Sequence, residues 1–297
     1  MGANTYVAVG NKEDLSDIIT NIAPSETPLY SSLGKATAIA TYHEWLEDDL
    51  GDAPKDNAVV EGATYTVDTP GTRTRKGNYT QIMRRGYGVT GTQESVSKHG
   101  VKSEIGYQMQ KAMKLIALDM ERALIRNDAQ AAGAADVARQ MGGIPYWVAT
   151  NAVDNAGVLR ALTLDLINET LESVWGEGGS PNTLYVSPRN KRIVGTFTDS
   201  ATKYIQEGTT KVGSRIDVIE SDFGVLNIKV DRWMPDTSVF ILDPSLWKIA
   251  ALRPFKTEDL PKTADQIEKI IIGEYTLEAR AEQGNGLIDD LDGLMPA

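Results

Sequence analysis

The sequence contains no cysteine. A disulfide framework, a zinc finger, a thiolate-held iron–sulfur cluster and a cysteine nucleophile are all excluded by that one absence. It has only two histidines, His43 and His99. One chain therefore cannot supply a three-histidine metal site, and histidine-based acid–base chemistry has two candidates at most. Long apolar runs are missing too: none approaches the ~18 residues of a membrane span. The N-terminus, MGANTYVAVGNKEDL, lacks the basic-then-apolar order of a signal peptide, and Tyr6 stands where a myristoylation motif needs Ser or Thr. Positive charge is scarce: 30 Lys and Arg against 41 Asp and Glu leave a net −11. Such a chain is poorly suited to wrapping nucleic acid, which needs clustered cations. The expectation is synthesis in the cytosol and no membrane contact.

What remains is ordinary globular composition over 297 residues, 41% hydrophobic and 24% charged. That length suits one large domain or two. Residues 1–35 read as an arm, with Leu15, Ile18, Ile19 and Ile22 at helical spacing, Asp14 or Ser16 as caps, and Pro24 and Pro28 as breakers. Residues 36–96 carry Thr-rich alternating runs separated by polar stretches such as GDAPKDN and TPGTRTRKGN. Such polar stretches cannot bury much surface within their own chain and read as either a mobile loop or a β-hairpin that packs on something else. Residues 98–127 hold the strongest local signal: Val101, Ile105, Met109, Met113, Ile116, Met120 and Leu124 recur at three or four. They predict one helix of about 30 residues and roughly 45 Å, with Ser97 as a cap and Asn127-Asp128 as the stop. A second helix is predicted around Leu162, Leu166, Ile167, Thr170, Leu171 and Val174, followed by a buried strand in NTLYVSP and a helix from Asn190. Strand follows strand from residue 216, and GNGLIDDLDGLMPA reads as a short acidic tail. The class is α+β, without the regular alternation of a dinucleotide-binding or barrel enzyme.

Each candidate motif has a plainer reading. Gly86-Tyr87-Gly88-Val89-Thr90-Gly91 fits G-x-G-x-x-G, but it follows Arg84-Arg85 and no helix starts at once, so a glycine-rich strand approached by other backbones is favoured. His43-Glu44-Trp45-Leu46-Glu47 lacks the second histidine of a zinc-protease helix and reads as a strand. Asp289, Asp290 and Asp292 beside Gly293 fall short of a calcium loop and read as solvated carboxylates. Ser97 and Ser103 flank His99 without forming a triad. Arg73, Arg75, Lys76, Arg84 and Arg85 form the dense basic cluster. In so acidic a chain, pairing with protein carboxylates, those of the arm or of another subunit, is favoured over nucleic acid. These five are the candidate inter-subunit contacts; no catalytic constellation and no cofactor site is found.

Taken together, several segments resemble the major capsid proteins of tailed bacteriophages, in a subfamily formerly catalogued as uncharacterised. They are DLSDIITNIAPSETPLYSSLGKATA (residues 14–38), HEWLEDDL (43–50), AVVEGA (58–63), GNYTQI (77–82) and VTGTQESV (89–96), the last opening the long helix. The C-terminal half adds VIESDFGVLNIKVDRWMPDTSVFILDPSLWKIAALRPFKTEDLPKT (218–263) and GEYTLEARAEQGNGLI (273–288). The family is similar in fold to the Hong Kong 97-type shell protein. The resemblance implies an N-terminal arm (1–35), an extended loop lying over a neighbouring subunit (36–96), a peripheral domain with a spine helix (97–144), a mostly axial domain (145–250), and strands returning to the peripheral domain with a C-terminal tail (251–297). It implies a non-enzymatic virion protein, assembled in the host cytoplasm into pentamers and hexamers of an icosahedral shell around double-stranded DNA. Portal, scaffolding or cementing proteins would be further partners, and the DNA would be held without sequence-specific contacts. In some relatives a Lys and an Asn of neighbouring subunits join covalently; Lys55 and Lys76 lie in the hairpin region, but no motif marks such a bond. A nanocompartment shell enclosing a cargo enzyme shares the fold and is the alternative.

Overall fold

The structure, a computed structural model, describes residues 26–48, 56–64, 71–97, 100–197 and 217–294. The helix expected in residues 15–22, His99, Lys55 and part of the hairpin lie outside the described residues.

A short helix, α1 (Pro28–Ser32), precedes β1 (Gly34–Thr37). The polar segment then gives β2 (Tyr42–Glu47) and β3 (Thr74–Tyr79), which among the described residues form a two-stranded antiparallel ribbon. The next strand, β4 (Gln81–Thr90), contains the G-x-G-x-x-G pattern. It is a strand, as the flanking sequence suggests: at Gly88 a Cβ would stand 3.2 Å from the Ile267 carbonyl oxygen, so the neighbouring strand comes close.

The long helix is shorter than its apolar stripe predicts. A separate turn, α2 (Gly91–Ser95), comes first, and α3 runs Glu104–Arg126, 23 residues or about 35 Å. Its cap is Ser103, whose Oγ accepts from the Gly106 N–H at 3.3 Å, and not Ser97. The Glu94 carboxylate, from α2, accepts the N–H groups of Glu104 and Ile105 and the Ser103 hydroxyl. The C-terminal half of the stripe, Ile116, Met120 and Leu124, is buried, whereas Met113 is 53% exposed. The helix reaches beyond the core it serves. At its other end Gly143 rests on the carbonyls of Ala123 and Leu124, where a Cβ would approach to 2.7 Å.

After α4 (Ile144–Trp147) and β5 (Ala152–Val153), α5 spans Leu164–Gly176 and β6 Thr183–Val186. Next come α6 (Pro188–Val194), β7 (Val218–Ser221), β8 (Gly224–Val230) and β9 (Val239–Leu242). Two long strands follow, β10 (Trp247–Asp259) and β11 (Gln266–Ala279). The acidic C-terminal segment is not a solvated tail: Gly286–Ile288 forms β12. It pairs with β9 on one side and β5 on the other. The Asp290 carboxylate accepts the N–H groups of Asn155 and Gly157, and the Ser238 hydroxyl donates to Asp289.

Two mixed sheets result. One has the order β1-β10-β11-β4, the other β5-β12-β9-β6-β8-β7. The centre of the six-stranded sheet is buried on both faces, so its strands read as continuous apolar runs. On one face Leu184, Val186, Val239, Ile241 and Ile288 meet α5 and α6. On the other, Tyr185, Phe240, Leu242 and Leu287 join α3, Trp247 and Leu277 in a larger core. Trp147 and Val148 belong to this larger core, so packing changes partners a few residues beyond position 145. Each fully buried Leu or Ile contributes roughly 1.5–3 kcal/mol relative to exposure.

Candidate functional site

The β2–β3 ribbon is held in register by its own charges. Glu44 pairs with Arg75 at 3.0 Å, Glu47 with Lys76 at 2.9 Å and Asp48 with Arg73 at 3.2 Å. Three of the five basic candidates thus have partners on the opposite strand. Arg85 makes a bidentate pair with Asp119 of α3. Arg84 is exposed and has no ion pair among the described residues. The cluster does not converge on one point, since Arg73, Arg75 and Lys76 lie on the ribbon while Arg84 and Arg85 lie on the four-stranded sheet. The exposed pairs among these, Arg73–Asp48 and Arg75–Glu44, are each worth at most about 1 kcal/mol. They fix the ribbon's register more than they stabilise the fold. Gly77 leaves room for this arrangement, because a Cβ there would lie 2.8 Å from the Tyr42 ring.

The base of the ribbon is fastened to the body by polar groups. Along β11 the residues Glu274, Thr276 and Glu278 alternate with Tyr275, Leu277 and Ala279, which enter the larger core. The period of two puts the three polar side chains on one face, and all three are buried. Thr80 donates to Glu274 at 2.6 Å, Thr276 donates to the Tyr79 carbonyl at 2.9 Å, and His43 Nε2 lies 3.2 Å from Glu278. Asn78, fully buried, donates to the carbonyls of Gly142 and Leu277 and accepts from the Gly142 N–H. Arg139 and Arg253 each reach one oxygen of Glu274, and Arg280 reaches Glu278. Trp45 adds one apolar contact, its ring 5.0 Å from that of Trp147. Sequence reading missed this anchor. The alternation in GEYTLEA was its visible signal, but alternation alone assigns the polar face to solvent.

Burial pushes the Glu278 carboxyl up, yet Arg280 and His43 outweigh it and hold it below the usual carboxylate range. A carboxyl lowered by folding stabilises fully above its unfolded value. The contribution is lost as pH falls through the folded value. Glu278→Gln is therefore expected to cost about 1–3 kcal/mol at neutral pH and to flatten the acid limb of the stability curve. Denaturant titrations at several pH values measure both; an unchanged acid limb would show that this anchor does not set it.

The far part of the hairpin is anchored to nothing described. Val59 and Val60 are 83% and 81% exposed, and Leu46 and Ile39 also face solvent. The Val60 carbonyl accepts from the Ala63 N–H at 3.0 Å, and Gly62 has φ +81°, as position three of a type II turn requires. A tight turn thus presents two branched apolar side chains outward.

Among the described residues no three His, Asp or Glu side chains gather as metal ligands. Two shallow clefts, about 190 and 300 Å³, are lined by Arg189, Arg192 and Leu294 and by Tyr87, Leu260 and Lys269 respectively, and neither has a histidine in its wall. No described helix is long and apolar enough to cross a membrane.

Comparison with known proteins matches this architecture. The major capsid protein of Escherichia phage Phieco32 is 23% identical over 348 aligned positions, spanning 99% of this chain and 98% of that one. The capsid asymmetric unit of cyanophage A-1(L) superposes with a TM-score of 0.69 at 12% identity, covering 97% of this chain and 98% of that one. The holo-SrpI encapsulin complex from Synechococcus elongatus PCC 7942 superposes at 0.62 and 11% identity, covering 97% and 95%. At such identities the superpositions speak for the fold. A family model described as SU10 major capsid protein matches residues 2–292. By that match over nearly its whole length, the chain belongs to the SU10 major capsid protein family: it is the major capsid protein of a tailed phage, built on the Hong Kong 97-type fold.

Proposed function

We propose that the subunit self-assembles into pentamers and hexamers of an icosahedral shell enclosing double-stranded DNA, in the cytoplasm of the host. One observation carries this reading. The ribbon is fixed at its base, and Val59 and Val60, in the turn that lies between its strands in the chain, are exposed with no described same-chain surface over them. A turn that presents exposed branched apolar side chains suits a neighbouring copy. Met113 and Val96, exposed toward the free end of α3, add apolar surface of the same kind. Head-to-tail contacts of this sort close into rings.

In this reading residues 1–35 are the arm and 36–96 the extended loop, of which β2, β3 and residues 56–64 project while β1 and β4 root it. Residues 97–144 and the four-stranded sheet form the peripheral domain. The six-stranded sheet with α5 and α6, from about 145 to 250, forms the axial domain, and β12 returns to it from the C-terminal segment. Arg73 and Arg75 can exchange their exposed same-chain carboxylates for a neighbour's at little cost, Arg84, exposed and without an ion pair among the described residues, can take one directly, and Lys76 and Arg85, whose pairs are partly shielded, complete the candidate contacts. Portal, scaffolding and cementing proteins are the further partners, and the net charge of −11 suits a shell that encloses DNA without gripping it. The role needs no cofactor and no enzymatic activity. A nanocompartment role remains the second reading, favoured only by the encapsulin superposition.

Negative-stain microscopy of the protein expressed alone, beside its light-scattering mass, tests assembly. Closed shells, tubes, sheets or rings of five or six support it. A monomer that persists after the phage's other head proteins are added overturns it. DNA or a cargo protein inside purified particles separates the two readings.

A further inference from the structure

Two carboxylates in the larger core are used by nothing described so far. Glu121 of α3 is fully buried, and Asp231, just after β8, is 1% exposed. Both Glu121 oxygens accept backbone N–H groups from α1, Leu29 at 2.8 Å and Tyr30 at 2.6 Å. Asp231 Oδ1 accepts from the Trp233 N–H at 2.8 Å, and its Oδ2 has no partner among the described residues.

The surrounding cations are engaged elsewhere. Arg122 stacks on Trp233 and Arg126 donates to the Trp233 carbonyl. Lys229 lies over the Tyr185 ring, and Arg232 reaches toward Glu26. From β6, the Tyr185 hydroxyl bonds Ser32 of α1 at 2.5 Å, and burial first of all pushes that phenol up to about 12, so it stays neutral. Tyr30 of α1 is likewise pushed up by burial. The Glu121 and Asp231 side chains lie within hydrogen-bonding reach of each other, so two negative charges would stand in the core with no compensating cation among the described residues, at a cost of several kcal/mol. An orphan carboxylate oxygen beside a second carboxylate is what a single proton satisfies.

We propose that a proton shared between Glu121 and Asp231 latches α1, the first described element after the N-terminal segment, onto α3 and the end of β8, and that loss of this proton loosens α1. The inference concerns the subunit itself and does not rest on the assembly reading. Burial and then Asp231 push the Glu121 carboxyl up to about 8, against the pull of the Tyr30 and Leu29 N–H groups. In the unfolded chain a carboxyl loses its proton near the ordinary value of about 4.3. Between these limits the folded chain binds more protons than the unfolded one. Stability therefore falls as pH rises through the window and levels off above it.

Asp231→Asn tests the latch, because the amide nitrogen at the Oδ2 position donates permanently to ionised Glu121. Amide exchange of Leu29 and Tyr30 in the full chain is read at about pH 6 and about pH 9, after correction for intrinsic rates. The wild type is expected to lose roughly tenfold in protection across that range, and the variant to lose none. Flat protection in the wild type, or the same slope in the variant, overturns the proposal. Should the variant not fold, infrared difference spectra of the wild type decide. A protonated-carboxyl band present near pH 6 and gone near pH 9 supports the shared proton, and its absence at both overturns it.

Discussion

Trp247→Ala is expected to lower the unfolding free energy by about 3–5 kcal/mol, a large share of the ~5–15 kcal/mol typical of a domain. Trp247 opens β10, is fully buried, and is the largest fully buried side chain. It lies in the core formed by α3, the four-stranded sheet and one face of the six-stranded sheet. Its removal leaves a hole where those three layers meet, and neighbours as regular as paired strands collapse poorly into it. The indole N–H also donates to Asn285 Oδ1 at 2.9 Å, and that oxygen accepts from the Asp243 N–H as well. Trp247→Phe retains most of the apolar volume while removing that donor, and is expected to cost about 1–3 kcal/mol. Denaturant unfolding of both variants separates cavity from hydrogen bond. A loss below about 1 kcal/mol for the alanine variant would mean that the layers do not share one core.

The elements that were legible in the sequence are those whose burial is periodic. The stripe through Ile116, Met120 and Leu124 announces α3, and Leu166, Ile167, Leu171 and Val174 announce α5, since both helices bury one face. The start of α3 was not legible. Ser97 and Ser103 are equally good caps in isolation, and the choice is made by Glu94, which reaches across from α2 to the first N–H groups of the helix. Strand β12 was hidden for a related reason. Three residues cannot show alternation, and its partners in β9 and β5 are remote in sequence. Its acidic neighbours suggested solvent, yet Asp289 and Asp290 serve as acceptors for loops and strand ends.

The surface was legible in part. The polarity of residues 36–96 suggested an element that buries little in its own chain; β2 and β3 pair with each other as a ribbon, but its base and β4 dock on the body, where Trp45, Asn78, Met83 and Val89 are buried. The basic residues were visible as a cluster, but their partners were not. Glu44, Glu47 and Asp48 lie about thirty positions earlier, and only the strand register, which sets Glu44 across from Gly77 and Glu47 across from Thr74, brings them within cross-strand reach of Arg75, Lys76 and Arg73. Glu274 and Glu278 show the converse. Their alternation was plain, but burial of a polar face depends on the ribbon's base docking there, a tertiary fact that composition does not carry.

Replacing both Val59 and Val60 with aspartate is expected to reduce the assembled fraction by at least about tenfold while leaving the subunit's own stability within about 0.5 kcal/mol. The second expectation follows from exposure: at 83% and 81% accessible, these side chains contribute almost nothing to their own fold. The first follows from where the turn holds them. The Val60–Ala63 hydrogen bond and the positive φ of Gly62 fix the backbone, so the two side chains are presented with little entropy left to lose on contact. Burying a valine against a neighbour gains on the order of 1.5 kcal/mol or more, and every 1.4 kcal/mol is tenfold in an association constant. A carboxylate at the same place must be desolvated without a partner, which reverses the sign of the contact. The double alanine variant separates these effects, because it removes the apolar gain without adding charge and should assemble to an intermediate extent. Light-scattering mass at matched concentration, with circular dichroism to confirm the fold, reads the series. Because a shell repeats each contact once per subunit, a small loss at one turn is multiplied over the particle, and the graded order wild type, alanine, aspartate is the signature of a tip that docks. If the aspartate variant assembles like the wild type, the turn faces solvent in the shell, and the ribbon's contact with its neighbour must run through Leu46 and the charged strands instead.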